Sequence, residues 1–259
     1  MNERLVSLDL DGTILVYDDP GGRLSPEVIK ALNKFPDLRA HWCINSGRTL
    51  EDQEQIVARA RRDGLELSPC ALLVRESMIY QYGENFQGLE PWNSRAIEKI
   101  LDLHRRVRAL PGDPIGQLIK EHKPTDLLTT DSATSFLLGD ADRANRFQSA
   151  LKQHLTCVPE ALISRNNLWV FVLHRDLGKG EILRVLMEIL GFSDNDVLAV
   201  GDNDNDIDML TGAVCRYVGC PANSTHAVKE TVRRANGRIS TLEAPAGTIE
   251  IMDQFLRAI

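Results

Sequence analysis

Apolar residues in this chain come in two spacings, and the alternation between them predicts the fold. Residues 5–10 (LVSLDL) form a compact run that stops at Asp11-Gly12-Thr13. A strand buried on both faces has this pattern, although a buried helix segment shares it. Ser25-Pro26-Glu27 then opens a helical stripe carried by Val28, Ile29, Leu32 and Phe35, with proline at the first helical position. Residues 39–44 read as a second strand that runs into Asn45-Ser46-Gly47-Arg48. A polar helix follows to about Arg62, and residues 71–74 read as a third strand. Strands alternating with helices point to an α/β sheet with parallel strands.

The rhythm breaks near Ser77. Residues 78–82 could be a strand, and Pro91-Trp92-Asn93-Ser94 looks like a helix entry continued by Ile97, Ile100, Leu101 and His104. Pro111, Pro114 and Pro124 interrupt the next stretch; residues 134–138 read as a strand and 141–155 as a helix. Residues 168–173 (LWVFVL) give the strongest strand signal of the region. We expect an inserted α+β unit over 78–174, flanked by a core made of 1–77 and 175–259. The α/β rhythm returns with an amphipathic helix over 180–190, closed by Gly191, and a strand over 197–200 that ends at Gly201-Asp202. A further strand is expected over 213–218 and a last helix from about Ile249.

Composition narrows the function classes. A chain of 259 residues has room for one large or two smaller domains, and 43% hydrophobic residues suffice for a core. The net charge of −7 leaves no broad cationic face to release nucleic-acid counterions, so no nucleic-acid partner is expected. No stretch approaches the roughly 20 apolar residues of a membrane span, and the N-terminus lacks the pattern of a signal peptide. The five cysteines, Cys43, Cys70, Cys157, Cys215 and Cys220, show no CxxC pair or zinc spacing. Unpaired thiols in a reducing cytoplasm are the expectation.

Four pieces carry candidate chemistry. Asp9 and Asp11 stand two apart at the end of the first strand, where open α/β sheets bind ligands. Like charges that close call for a metal or a raised pKa. Asp202, Asp204, Asp206 and Asp208, interleaved with Asn203 and Asn205, crowd one loop after another apolar strand. Oxygen donors suit a hard cation such as Mg²⁺. A calcium loop is the competing reading, but the glycine that motif requires is missing and its twelfth position is Ala213. Ser46-Gly47-Arg48 offers a hydroxyl and backbone N–H groups near a helix start, an anion site that is weak alone. Lys179, between Gly178 and Gly180, could hold a phosphate as a point charge, although a lone lysine is more often a surface residue.

In chain order, DxDGT, SGR, K and GDxxND, the sequence resembles the haloacid dehalogenase-like hydrolase superfamily, and more narrowly its Cof-type subfamily IIB, which includes sugar-phosphate phosphatases. The resemblance implies a Rossmann-like parallel-sheet core with an inserted α+β cap of C2 type that selects the substrate. It implies Asp9 as nucleophile and Asp11 as general acid/base. Ser46, Gly47, Arg48, Lys179 and Asn205 would hold the substrate, Asn205 by orienting the phosphate or the Lys179 head. Mg²⁺ would sit on Asp9, Asp202 and the Asp11 backbone carbonyl, with Asp206 holding a metal-bound water or ligating directly. The implied partner is a small phosphate ester, a sugar phosphate foremost, acted on by a monomer or homodimer. A phosphomutase on the same scaffold and a non-catalytic sensor of phosphorylated ligands are the alternatives. Asn223 resembles a family position near the phosphate, and Asp204 is expected to face solvent. Trp92 could stack on a sugar face but is expected in the core, and Arg75, Glu76 and His174, at the boundaries of the insert, could touch substrate but are expected to be solvated.

Overall fold

The computed structural model describes residues 3–15, 22–129 and 134–257. It divides the chain into two compact units, one of 1–89 with 179–259 and one of 90–178.

The first unit is built on an eight-stranded sheet. β1 (Arg4–Leu8), β2 (Ala40–Ser46) and β3 (Ala71–Val74) run parallel, as do β10 (Val197–Val200), β11 (Tyr217–Cys220) and β12 (Arg238–Ile239). β4 (Met78–Tyr82) and β5 (Phe86–Gly88) complete one edge as antiparallel strands, giving the order β12-β11-β10-β1-β2-β3-β4-β5. β1 and β10 are buried at every position, which explains their unbroken apolar runs. Leu5, Val6, Leu8, Ile44, Leu72 and Val200 form the centre of the core. Strand order reverses at β1: the chain moves outward through β2 and β3, then returns on the other side as β10. The crevice beyond the carboxyl ends of such a pair is where ligands bind in open α/β sheets.

The helices of this unit start where local chemistry dictates. α1 (Pro26–Leu32) opens with proline after Ser25, whose Oγ accepts from the Val28 N–H at 3.3 Å. α2 (Leu50–Arg62) is capped by Thr49, which accepts from the Asp52 N–H at 3.1 Å. The other helices of this unit are α6 (Lys179–Leu190), α7 (Ile207–Leu210), α8 (His226–Arg234) and α9 (Ala246–Arg257). No helix among the described residues is long and apolar enough to cross a membrane.

The second unit is a four-stranded antiparallel sheet with helices, in the order β6 (Asp126–Thr129), β7 (Thr134–Leu137), β9 (Trp169–His174), β8 (Ala161–Asn166). α3 (Trp92–Arg108), α4 (Pro114–His122) and α5 (Ala141–His154) complete it around Phe136, Phe147, Val170 and Leu151. Pro114 does not interrupt structure here. It occupies the first turn of α4, behind Asp113, whose side chain accepts from the Gly116 N–H. The insert begins later than its sequence suggests. Residues 78–88 hydrogen-bond to β3 and continue the main sheet, so the second unit starts at Glu90 and runs to Gly178 rather than over 78–174.

Candidate active site

Asp9 follows β1 and Asp202 follows β10. The register pairs Leu8 with Val200, and the Asp9 N–H donates to the Val200 carbonyl at 3.0 Å, so both carboxylates emerge side by side at the reversal of strand order. Asp9, Asp202 and Asp206 are all buried, and one ligand oxygen of each lies within 4.8 Å of the others. Lys179, at the start of α6 and 0% exposed, donates from Nζ to Asp9 Oδ1 at 2.6 Å and to Asp206 Oδ1 at 2.5 Å. Its backbone is held in turn, because Asn45 Nδ2 donates to the Lys179 carbonyl at 3.0 Å.

The acidic loop is pinned through Asp206. Its Oδ2 accepts from the N–H groups of Asp202 and Asn203 at 2.8 and 2.9 Å. Gly201 makes this possible: a Cβ there would lie 2.4 Å from Asp206 Cγ, a separation no side chain tolerates. Asp202 Oδ1 accepts from Thr13 Oγ1 at 3.0 Å, tying the acidic loop to the DxDGT loop. Asp208 accepts from the Gly180 N–H at 2.8 Å and anchors the start of α6, with burial pushing its carboxyl up to about 6.

Charge explains the electrostatics. Three carboxylates face one ammonium, leaving an excess of two negative charges in a buried place. Burial would lower Lys179, but Asp206, Asp9 and Glu76 outweigh it and hold the ammonium above the ordinary lysine value. Burial raises Asp9, Asp206 and Asp202 add to the rise, and Lys179 only partly offsets it. Unbalanced negative charge raises both groups, although burial is the larger cause at Asp9. A divalent cation would balance that charge, and an all-oxygen donor set fits Mg²⁺. Asp9, Asp202 and Asp206 are the side chains that would hold it.

The other expected residues are placed with some differences. Asp11 is half-buried and gripped by Arg48, whose Nε and Nη2 donate to its two oxygens at 2.8 and 2.5 Å. Arg48 thus sits on the expected acid/base. Ser46 is the last residue of β2 and 2% exposed. Its Oγ accepts from the Arg48 N–H at 3.3 Å, while the cap of α2 is Thr49, so Ser46 and Gly47 precede the helix rather than open it. Asp204 is exposed, as expected, and accepts from Thr225 Oγ1 at 2.8 Å. Asn223 uses both ends of its amide on the backbone: Nδ2 donates to the Gly12 carbonyl and Oδ1 accepts from the Ala244 N–H, each at 2.8 Å. It clamps the DxDGT loop. Trp92 is half-buried at the first position of α3.

Glu76 and His174 overturn the expectation that they are solvated: they are 6% and 8% exposed. His174 Nδ1 accepts from the Asp176 N–H at 3.1 Å, and burial lowers its pKa. Glu76 Oε1 accepts from Asn205 Nδ2 at 2.8 Å. Burial pushes its carboxyl up to about 7, with Asp208 and Asp206 adding to the rise. It reaches this place from a turn closed by the Ser77 N–H on the Val74 carbonyl at 3.1 Å. Arg75 and Glu76 take φ of 50° and 59° there. Left-handed φ costs a residue with a side chain about 1–2 kcal/mol. A charged pair between two apolar strand runs was the available sequence signal, but it reads equally well as an exposed hairpin tip. Thr13 and Asn45 carried no signal, since a hydroxyl and an amide next to strand ends are common.

A family model described as haloacid dehalogenase-like hydrolase matches residues 72–235. The 5-amino-6-(5-phospho-D-ribitylamino)uracil phosphatase of Bacillus subtilis is 24% identical over 230 residues, 88% of this chain and 87% of that protein. A relative from Haemophilus influenzae is 30% identical over 118 residues, 45% of this chain, and this chain spans 42% of its length. Among solved structures, the sucrose-phosphatase of Synechocystis, in complex with sucrose and phosphate, superposes with a TM-score of 0.73 at 15% identity, covering 98% of each chain. That likeness establishes a shared fold.

Proposed function

The chain belongs to the haloacid dehalogenase-like hydrolase family, and from that footing we propose that it is a Mg²⁺-dependent phosphatase in which Asp9 attacks a phosphate monoester. The observation that carries the reading is the shared ammonium: Lys179 bridges Asp9 and Asp206, with Asp202 alongside, at the reversal of strand order. One carboxylate would balance the charge of a buried lysine. Three acids around it make a site for a cation and a polyanion together.

The chemistry follows from the side chains. An Asp9 oxygen attacks phosphorus while the bond to the ester oxygen breaks, and Asp11 delivers a proton to the leaving alcohol. Asp9 then carries the phosphoryl group. Asp11, now a carboxylate, takes a proton from water as that water attacks phosphorus, and phosphate leaves with Asp9 restored. Lys179 neutralises charge on the phosphoryl oxygens, and Ser46 with the Gly47 and Arg48 N–H groups supplies donors for them. When bound, Mg²⁺ supplies the charge that lets a carboxylate approach a phosphate dianion. Arg48 holds Asp11 in place and must yield part of its grip when the proton moves.

The substrate class is a small phosphorylated metabolite, with sugar phosphates first. The names of the Bacillus subtilis and Synechocystis proteins support that choice. We assign selection of the leaving group to the second unit, 90–178. Five unpaired cysteines support a cytoplasmic setting. Purified protein with Mg²⁺ should release inorganic phosphate from members of a panel of phosphate esters, and Asp9→Asn should release none. A panel with no release, or an Asp9→Asn protein as active as the wild type, contradicts the proposal.

A further inference from the structure

The last helix of the chain is bonded to the first motif. α9 buries Gly247, Thr248, Ile251, Met252 and Phe255, a stripe with one polar side chain, Thr248. A threonine in a helix often turns its hydroxyl back onto a carbonyl of the preceding turn. Thr248 lies in the first turn and is fully buried, and its Oγ1 instead donates to the Thr13 carbonyl at 2.7 Å, 235 positions away.

The carbonyl before Thr13 is held from the same stretch. The Ala244 N–H donates to Asn223 Oδ1, while Asn223 Nδ2 donates to the Gly12 carbonyl. Two consecutive carbonyls of the DxDGT loop are therefore fixed by residues 244–248, one through Asn223 and one directly. A buried carbonyl needs a donor, and that alone accounts for a bond to each. Thr248 differs in what its bond places. Thr13 Oγ1, also fully buried, donates to Asp202 Oδ1 at 3.0 Å. Where the Thr13 backbone stands sets where this hydroxyl stands. A bond to one carboxylate oxygen stops Asp202 turning about its Cβ–Cγ bond, and that rotation decides which oxygen faces the place shared with Asp9 and Asp206. Hydrogen bonds behind a metal ligand tune the site in this way.

We propose that Thr248 is a positioning residue for the cation site: through the carbonyl and then the hydroxyl of Thr13, it sets the carboxylate of Asp202. The Mg²⁺ at the end of this relay rests on the phosphatase reading; the two hydrogen bonds do not.

Thr248→Val removes the donor, and a methyl group cannot stand 2.7 Å from a carbonyl oxygen, so the loop must shift. Thr248→Ser keeps the hydroxyl. Thr248→Cys, a weak donor of similar size, takes the place of the valine variant if that one does not fold. Calorimetric titration with Mg²⁺ alone, without any ester, reads the relay independently of turnover. Affinity is the readout because a purely structural bond would lower the melting midpoint and leave the affinity alone. We expect Thr248→Val, or Thr248→Cys, to bind Mg²⁺ about tenfold more weakly than the wild type, and Thr248→Ser to stay within about threefold of it. Thr13→Val should weaken binding at least as much as Thr248→Val. Adding Thr248→Val to it should cost nothing further, because both act through one hydroxyl. Wild-type affinity in the folded valine or cysteine variant, a Thr248→Ser protein as weak as Thr248→Val, or additive losses in the double variant would overturn the proposal. So would a wild type that binds no Mg²⁺. A wild type that binds Mg²⁺ but releases no phosphate from any ester sinks the phosphatase reading, while these affinities still decide on the relay.

Discussion

Two carboxyl groups two residues apart meet different surroundings. Asp9 is buried among acids with Lys179 as counter-charge, whereas Asp11 is half-buried in the two-pronged grip of Arg48. That difference suits one for attack and the other for moving protons. If Arg48 orients Asp11, Arg48→Ala should matter most where the leaving group needs a proton. The loss in kcat/KM should be about tenfold greater for an alkyl phosphate than for p-nitrophenyl phosphate. Equal losses on the two substrates would place Arg48 on the phosphate instead. Glu76 yields a second prediction at this scale. Its carboxyl rises from the ordinary 4.5 to about 7 in the folded chain, through burial first. Between those values the folded chain keeps a proton that the unfolded chain has released, so stability falls as pH rises through this window. Metal-free wild type should therefore lose stability relative to Glu76→Gln between about pH 5 and about pH 8, by up to about 3 kcal/mol. Parallel stability curves for the two proteins would contradict it.

At the scale of elements, the site depends on the parallel pairing of β1 with β10 and on one loop that must double back. Register puts Asp9 and Asp202 level, and Gly201 lets Asp206 fold under the loop to bind its backbone. Gly201→Ala should displace Asp206, because its Cβ would stand 2.4 Å from Asp206 Cγ. We expect Mg²⁺ affinity to drop by about tenfold or more, measured by calorimetry, since both the loop and its ligand move. Unchanged affinity would show that the loop adapts freely. The strands around this site were legible because parallel strands buried on both faces have to be apolar throughout. β5 and β12 were not legible, having three and two residues with no period to show. β8, ALISRN, carries Arg165 and Asn166 in positions that blur its alternation. Pro114 misled through its ambiguity, since the same residue breaks a helix interior and opens a helix.

For the whole molecule, the order of motifs along the chain was more informative than any one of them. Each lies at a strand end or helix start, and the parallel sheet gathers them because it aligns the carboxyl ends of its strands. The contacts that complete the site were not legible. Thr13 on Asp202, Asn45 on the Lys179 backbone and Glu76 on Asn205 join residues 189, 134 and 129 positions apart, and no local spacing encodes them. The boundary of the second unit was misplaced for a similar reason: whether residues 78–88 belong to the sheet is decided by pairing with β3, not by their own pattern. The charge excess of the site has a consequence for the entire fold. Mg²⁺ at about a hundred times its dissociation constant should raise the melting midpoint by roughly 5–10 °C, and Asp202→Asn should abolish most of that rise. A midpoint indifferent to Mg²⁺ would remove the cation from the account.

The central claim is that Asp9 carries the phosphoryl group, and it can be observed directly. Asp11→Asn protein mixed with Mg²⁺ and p-nitrophenyl phosphate, whose leaving group departs without a proton, then quenched in acid, should hold phosphate on the peptide containing Asp9, lost on treatment with hydroxylamine, because the water that would release it has no base. Phosphate liberated by the wild type, with no covalent phosphate on Asp9 in either protein at any quench time, would contradict the account.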